Sequence, residues 1–358
     1  MVTRVMIASG GTGGHVFPAL AVANELRERG IKVTWLGTKK GMENRVVPEA
    51  NIELDRISAL GFRGKGLIAK LAALKGFSIG CIQTLKIIRH RKPHIVLGMG
   101  GFVTAPAGLM ARVMRIPVVI HEQNRVIGTA NKLLAKIAIK IMEAFPNTFP
   151  TAEKVVHTGN PLRRDIINLA ETPPAPRQQD DTIHLLIVGG SQGARALNQI
   201  VPQAIAVTTK QELEIIHQCG DQWVDETSQQ YQQLGINAQV KPFINDMAAS
   251  YQWADLVICR AGAMTISELA AIGLPSILVP YPFAIDDHQT SNARYLADAG
   301  GAILMQENQL TADQLGQQLA HLLNDQQVLS TMRTALKPLA RIDATNQVTD
   351  ICLQEAAA

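Results

Sequence analysis

Two glycine-rich runs directly follow short apolar stretches: VMIAS leads into Gly10-Gly11-Thr12-Gly13-Gly14, and HLLIV leads into Gly189-Gly190-Ser191-Gln192-Gly193. A strand that ends in glycines and opens a helix presents unpaired backbone N–H groups, which with the helix dipole favour a phosphate or another oxyanion. The blander alternative is that the glycines only permit tight strand-to-helix turns. Neither run is a Walker A loop, since no Gly-Lys-Ser/Thr follows. Neither fits GxGxxG, because the sixth position from Gly11 is Val16 and from Gly190 is Arg195. The acid that follows the second strand of a nicotinamide-dinucleotide site is missing too, as KVTWLGTKKG ends in Thr38, Lys39 and Lys40. An anion site is implied, and a dehydrogenase is disfavoured.

A third cluster runs from Cys259 to Pro275, CRAGAMTISELAAIGLP. The strand DLVIC enters small residues, and a helix from about Thr265 stops at Gly273. Small residues at a helix start let a diphosphate approach closely. Glu268, in the first turn, can accept hydrogen bonds from the two vicinal hydroxyls of a ribose. Alternatively Glu268 only complements the helix dipole and Thr265 is its cap. There is no Asp-x-Asp motif and no His/carboxylate spacing suited to a metal, so neither a tightly held metal nor a cofactor is expected.

The elements that position these residues follow a βαβ rhythm: VMIAS, a helix through PALAVANELRERG, KVTWLG, then HIVLGMGG and PVVIHEQN. The rhythm restarts at HLLIVGGSQGARALNQIVPQAI and closes with PSILVPYP. The two glycine runs are offset by half the chain of 358 residues, which suggests two similar α/β domains built on parallel sheets. Composition places a linker at Thr172–Asp181 (TPPAPRQQDD), with an earlier boundary near Gly159-Asn160-Pro161 as the alternative. A final helix lies in TNQVTDICLQEAA.

Apolar residues make up 47% and charged residues 18%, enough to bury two cores. A net charge of +4 is no nucleic-acid footprint. Cys81, Cys219, Cys259 and Cys352 form no CxxC pair, which fits a reducing compartment. The first residues carry no signal-peptide pattern, and no run of 18 apolar residues free of charge suggests a membrane span.

Taken together, Gly10–Ala21 (GGTGGHVFPALA), His121-Glu122-Gln123-Asn124, Gly189–Arg195 (GGSQGAR) and the Arg260–Pro275 block followed by Gln289 resemble one group closely. These are the bacterial N-acetylglucosaminyltransferases of peptidoglycan synthesis, GT-B enzymes that act on undecaprenyl-pyrophosphoryl-N-acetylmuramoyl-pentapeptide. The resemblance runs in order over nearly the whole chain. It implies a GT-B fold of two Rossmann-like domains facing a cleft. Residues 1–163 form the acceptor-binding, membrane-facing domain, with the 341–358 helix packing back on it, and 164–340 bind UDP-N-acetylglucosamine.

Carried over residue by residue, the resemblance implies donor contacts from Thr12, Gly13, Gly14, Asn124, Arg163, Ser191, Ile244, Ala263, Met264, Thr265, Ile266, Ser267, Glu268 and Gln289. Phe243 and Ile244 lie by the uracil, Glu268 by the ribose, Ser191 and the Met264–Thr265 amides by the diphosphate, and Gln289 with Asn124 by the sugar. The AIDDHQTSNA stretch departs most from the pattern. The implied reaction inverts the anomeric centre and makes a β-1,4 bond to the acceptor's C4 hydroxyl. It needs a base and an electrostatic partner for the leaving diphosphate. His15 suits the base because its intrinsic pKa is near neutral. Glu122 is the rival carboxylate, with His121 orienting the loop.

A lipid-linked acceptor also implies an anionic membrane surface as partner, at the cytoplasmic face of the inner membrane, together with cell-wall synthesis proteins. In GKGLIAKLAALKGFSIGCIQTLKII a core stripe is expected at Leu67, Leu71, Leu74, Ser78 and Leu85. Ile68, Phe77 and Ile79 are then left over beside Lys65, Lys70 and Lys75 for a lipid surface. Two other readings remain, a UDP-N-acetylglucosamine 2-epimerase and a non-catalytic nucleotide-sugar-binding subunit.

Overall fold

The short apolar runs can be hydrophobic along their whole length because the strands they form are parallel and covered on both faces. A computed structural model describes residues 3–58, 67–172, 182–190, 192–208 and 213–357, without the side chains of 67–73 and 326. The chain divides into two compact units, residues 1–163 with 341–358, and residues 164–340.

The first unit holds β1 (Arg4–Ala8), β2 (Lys32–Thr38), β3 (Glu53–Ile57), β4 (Ile95–Gly98), β5 (Val118–Glu122), β6 (Lys140–Glu143) and β7 (Val155–His157). Its helices are α1 (Gly13–Glu28), α2 (Glu43–Glu49), α3 (Leu67–Arg91), α4 (Thr104–Val113) and α5 (Thr129–Leu134). The second unit holds α6 (Arg164–Glu171), α7 (Arg195–Thr208), α8 (Val224–Gln233), α9 (Met247–Trp253), α10 (Ala263–Ile272), α11 (His288–Ala297), α12 (Ala312–Asn324) and α13 (Gln326–Leu336). Its strands are β8 (Ile183–Val188), β9 (Leu213–Gln218), β10 (Gln239–Lys241), β11 (Leu256–Cys259), β12 (Ser276–Leu278) and β13 (Ala302–Leu304). The last helix, α14 (Ala344–Ala357), belongs to the first unit and packs on α1.

The sheets run β3-β2-β1-β4-β5-β6-β7 and β10-β9-β8-β11-β12-β13, with every pairing parallel. In both, strand addition reverses direction beside the first strand. Doubly wound folds take their ligands in the crevice at the carboxyl ends there. That point lies between the loops after β1 and β4 in the first unit, and after β8 and β11 in the second. All three glycine clusters of the sequence therefore sit at switch points.

One face of the first sheet is closed by Val16, Ala19, Val22 and Leu26 of α1 with Val348 and Cys352 of α14. The other is closed by Ile88 of α3, Ala107 and Ala111 of α4, and Leu134 of α5. In the second unit, Leu197 and Val201 of α7 interlock with Leu315, Leu319 and Leu322 of α12.

Two expectations need correction. The Pro-rich stretch is not the division between units, because α6 already belongs to the second unit; residues 173–181 themselves lie outside the described residues. The stripe expected on α3 is also displaced. Gly76, Gly80, Thr84 and Ile88 are buried, whereas Leu74 is 56% exposed, Ser78 is exposed and Leu85 is half-buried. The buried face is the one with small residues: a Cβ on Gly80 would already touch its neighbours, 3.4 Å from the Ser58 carbonyl and 3.7 Å from Pro106. The helix backbone approaches closely through its small residues, which a count of apolar positions overlooks. Lys65 lies outside the described residues, as do the side chains of Leu67, Ile68, Lys70 and Leu71.

Candidate active site

In the second unit, β8 ends at Val188 and the chain turns through Gly190 at φ +85° and Gly193 at φ +75°, conformations open to glycine. A Cβ on Gly193 would collide with the Cys219 carbonyl, and one on Gly189 would stand 2.6 Å from the Ala194 nitrogen. The loop is thus pressed tightly between β8, β9 and α7. Ser191 lies outside the described residues.

Gln218, at the end of β9, joins this loop to the segment after β10. Its Nε2 donates to the Gly190 carbonyl at 2.8 Å, and its Oε1 accepts from the Ile244 amide at 3.3 Å. Ile244 is buried and Phe243 is 53% exposed. The glycine loop and the segment expected by the uracil are therefore tied by one neutral side chain.

Helix α10 begins at Ala263, two residues earlier than expected, with Gly262 as its cap and no side-chain capping bond. Thr265 is within the first turn and is not the cap, and Glu268, expected in the first turn, falls beyond it because the helix starts earlier. The α10 helix ends on Gly273 in the left-handed conformation. Met264, Thr265 and Ser267 are half-exposed, whereas Ala263 and Ile266 are buried and the Ile266 amide already donates to the Gly262 carbonyl at 3.0 Å, so Ile266 shapes the turn and the earlier amides face outward. Glu268 is 8% exposed, and its Oε2 accepts the Tyr251 hydroxyl at 3.1 Å. Tyr251, on α9, is missing from the sequence-based site. Gln289 turns its Oε1 to the Tyr281 amide at 2.9 Å, which leaves its Nε2 as the donor for a ligand. Arg260 binds the Val279 and Pro280 carbonyls and pairs with Glu307, fixing the loop after β12.

The first unit's loop differs in kind. Glu43, fully buried at the start of α2, accepts the Gly11 amide at 3.0 Å, and the Thr38 amide and hydroxyl at 2.9 and 2.7 Å. An acid does follow β2, but the protein's own backbone uses it. A carboxylate beneath Gly10 and Gly11 opposes a second anion there, which sets this loop apart from the one after β8. Thr12 caps α1 without a side-chain bond, and Gly13 and Gly14 form its first turn.

His15 follows them, half-buried, with Nδ1 2.9 Å from Gln123 Oε1. A Cβ on Gly100 would collide with this ring, so the loop after β4 confines it. Glu122, 2% exposed, has both oxygens engaged. Oε1 accepts the Asn124 amide at 3.1 Å; Oε2 accepts the Gly128 amide and Asn131 Nδ2, each at 2.9 Å. It holds the loop in shape, and its lone pairs are spent. His121 is fully buried, and burial, aided by the nearby His15 and only partly offset by its Gly159 carbonyl contact, lowers its pKa to about 4. Arg163 ends the first unit, half-buried.

Models of the glycosyltransferase family 28 N-terminal and C-terminal domains match residues 5–143 and 184–350. A protein of Methylococcus capsulatus is 52% identical over 100% of both chains, and one of Nitrosococcus oceani 47% identical over 99% of each. Both are named UDP-N-acetylglucosamine–N-acetylmuramyl-(pentapeptide) pyrophosphoryl-undecaprenol N-acetylglucosamine transferase. The crystal structure of Acinetobacter baumannii MurG is similar at TM-score 0.85 and 42% identity, covering 98% of this chain and 99% of that one. A UDP-GlcNAc 2-epimerase from Neisseria meningitidis shares the fold at TM-score 0.69 with 13% identity, over 99% of this chain and 100% of that one.

Proposed function

The chain belongs to glycosyltransferase family 28 and is a UDP-N-acetylglucosamine-dependent N-acetylglucosaminyltransferase of peptidoglycan synthesis; from that premise we propose how its residues divide the work. It transfers N-acetylglucosamine to the lipid-linked N-acetylmuramoyl-pentapeptide, the step from lipid I to lipid II. Identity along the full length carries the activity, whereas the epimerase likeness reaches only the fold.

The second unit takes the donor. Ile244 and Phe243 receive the uracil, Glu268 the ribose diol, and the glycine loop with the α10 N-terminus the diphosphate. Two observations support this: Gln218 ties the loop to Ile244, and no capping side chain covers the start of α10. As the sugar–phosphate bond breaks, charge grows on the leaving diphosphate, and fixed amides stabilise it without having to reorient.

The first unit takes the acceptor, and His15 removes the C4 hydroxyl proton. The alternative base, Glu122, is weakened by its four hydrogen bonds. Thr12, Gly13, Gly14, Asn124 and Arg163 add contacts from the first unit to the substrates. The deciding experiment incubates pure protein with labelled UDP-N-acetylglucosamine and a lipid-linked muramoyl acceptor. Labelled lipid is the expected product; appearance instead of the C2 epimer, as UDP-N-acetylmannosamine or as free N-acetylmannosamine with UDP after hydrolysis by water, would establish the epimerase.

No helix among the described residues is long and apolar enough to cross a membrane. The protein docks peripherally, on the cytoplasmic face of the inner membrane, through the helices that cover one face of the first sheet. Support comes from exposed Leu74, Ile79 and Ile82 on α3, Val113 on α4 and Leu133 on α5, with Lys75, Lys86, Arg112 and Lys132 exposed among them. Such a surface inserts apolar side chains and meets anionic headgroups. Phe77, half-buried, is a weaker member.

Replacing Leu74 and Ile82 with Ser should leave the fold intact, as both are already solvent-exposed. Fully burying one such side chain is worth roughly 1.5–3 kcal/mol, so binding to anionic vesicles should weaken by about tenfold or more. Turnover on a short-chain soluble acceptor should stay near normal. Vesicle binding equal to the parent's would place the membrane face elsewhere.

A further inference from the structure

The two histidines and the glutamine near the first glycine loop form a continuous chain. The Gly159 carbonyl lies 2.9 Å from His121 Nε2; His121 Nδ1 lies 3.1 Å from Gln123 Nε2; Gln123 Oε1 lies 2.9 Å from His15 Nδ1. Gln123 is 1% exposed, and its Nε2 also donates to the Met99 carbonyl at 3.1 Å.

The direction of every proton in this chain follows from the two carbonyls at its ends. A backbone carbonyl only accepts. The Gln123 atom facing Met99 is therefore the nitrogen, and its oxygen faces His15. In the same way, the Gly159 carbonyl requires the His121 proton on Nε2, so His121 Nδ1 is bare and accepts from Gln123. Burial, by keeping His121 neutral, agrees with a single ring proton. The oxygen of Gln123 can only accept, so the His15 proton must sit on Nδ1.

We propose that Gln123, anchored by the Met99 carbonyl and by His121, is a positioning residue that locks His15 in the tautomer protonated at Nδ1 and bare at Nε2. Nε2, on the far edge of the ring, is then the nitrogen that takes the acceptor's proton, with no tautomer exchange before each turnover. Turning the ring over would set Cδ2 against Gln123 Oε1 in place of Nδ1, so the same hydrogen bond also fixes which nitrogen is presented. This deepens the assignment of His15 as the base and rests on it.

The test reads the tautomer directly, apart from activity. Long-range proton–nitrogen correlation spectra of uniformly labelled protein, with His15 identified by the signal lost in His15→Ala, should show Nδ1 protonated and Nε2 bare. In Gln123→Met the ring should populate the Nε2–H form, and kcat should fall about two- to tenfold, the preference one hydrogen bond confers. Donor KM should hold. Gln123→Glu, held protonated on the oxygen that faces the Met99 carbonyl and His121 Nδ1, keeps an acceptor oxygen toward His15, so it should retain the Nδ1–H form and turn over faster than Gln123→Met. A parent spectrum dominated by Nε2–H overturns the proposal, as does a Gln123→Met protein that keeps the Nδ1–H form. If Gln123→Met fails to fold, the parent spectrum and Gln123→Glu still decide. Normal turnover in His15→Ala would remove the base assignment, while the spectrum would still report the tautomer.

Discussion

His15→Ala is expected to lower kcat by roughly 10²–10⁴-fold, the usual cost of losing a general base, with donor KM nearly unchanged. A group that accepts a proton as the bond forms acts mainly in the transition state, so its loss appears in turnover and not in ground-state binding. The geometry sharpens the expectation, because His15 is held from two sides, by Gln123 and by the Gly100 backbone. Steady-state kinetics with the lipid-linked acceptor at saturating donor measures it. Near-normal turnover would move the assignment to Glu122.

The control is Glu122→Gln. One amide nitrogen must then face a donor, either the Gly128 amide with Asn131 Nδ2 or the Asn124 amide. Two donors face to face cost a buried hydrogen bond without replacing it. The expected result is a lower melting temperature and a disturbed 122–128 loop, which separates a residue that shapes the site from one that moves a proton.

The parallel architecture was legible because its strands are short, apolar and separated by helices of ordinary periodicity; β1, β2, β4, β5, β8, β11 and β12 fall on the expected runs. The strands that escaped, β3, β6, β7, β10 and β13, have three to five residues each, and ELDRI and KIME carry charges that break any apolar signal. The glycine loops stood out because positive φ and close backbone approach leave few residue types. The polar side chains beneath them did not. Glu43, Gln123, Gln218 and Tyr251 are ordinary residues whose meaning comes from the atoms they meet, Gly11, His15, Ile244 and Glu268, brought there from 17 to 108 residues away. The α3 surface was misread for the converse reason: a helix that packs through glycine presents its leucines to solvent.

Glu268→Ala should act on the other side of the reaction. The carboxylate is 8% exposed and oriented by Tyr251, so it can meet a ribose diol without searching for its rotamer. Hydrogen bonds to a charged group contribute roughly 1.5–3 kcal/mol, which converts to roughly a 10- to 100-fold rise in donor KM. The ribose lies several bonds from the breaking sugar–phosphate bond and keeps its contacts in both ground and transition states, so kcat at saturating donor should hold within about twofold. Removing a buried side chain also leaves the Tyr251 hydroxyl without this partner, and Glu268→Gln separates that effect. Its oxygen can still accept from Tyr251 while its nitrogen faces the diol, so its KM should fall between parent and alanine variant with stability preserved. Tyr251→Phe should raise KM only a few-fold, since it loosens the carboxylate without deleting it. A fall in kcat at saturating UDP-N-acetylglucosamine, with KM unchanged in Glu268→Ala, would place Glu268 at the reacting centre and remove it from the ribose.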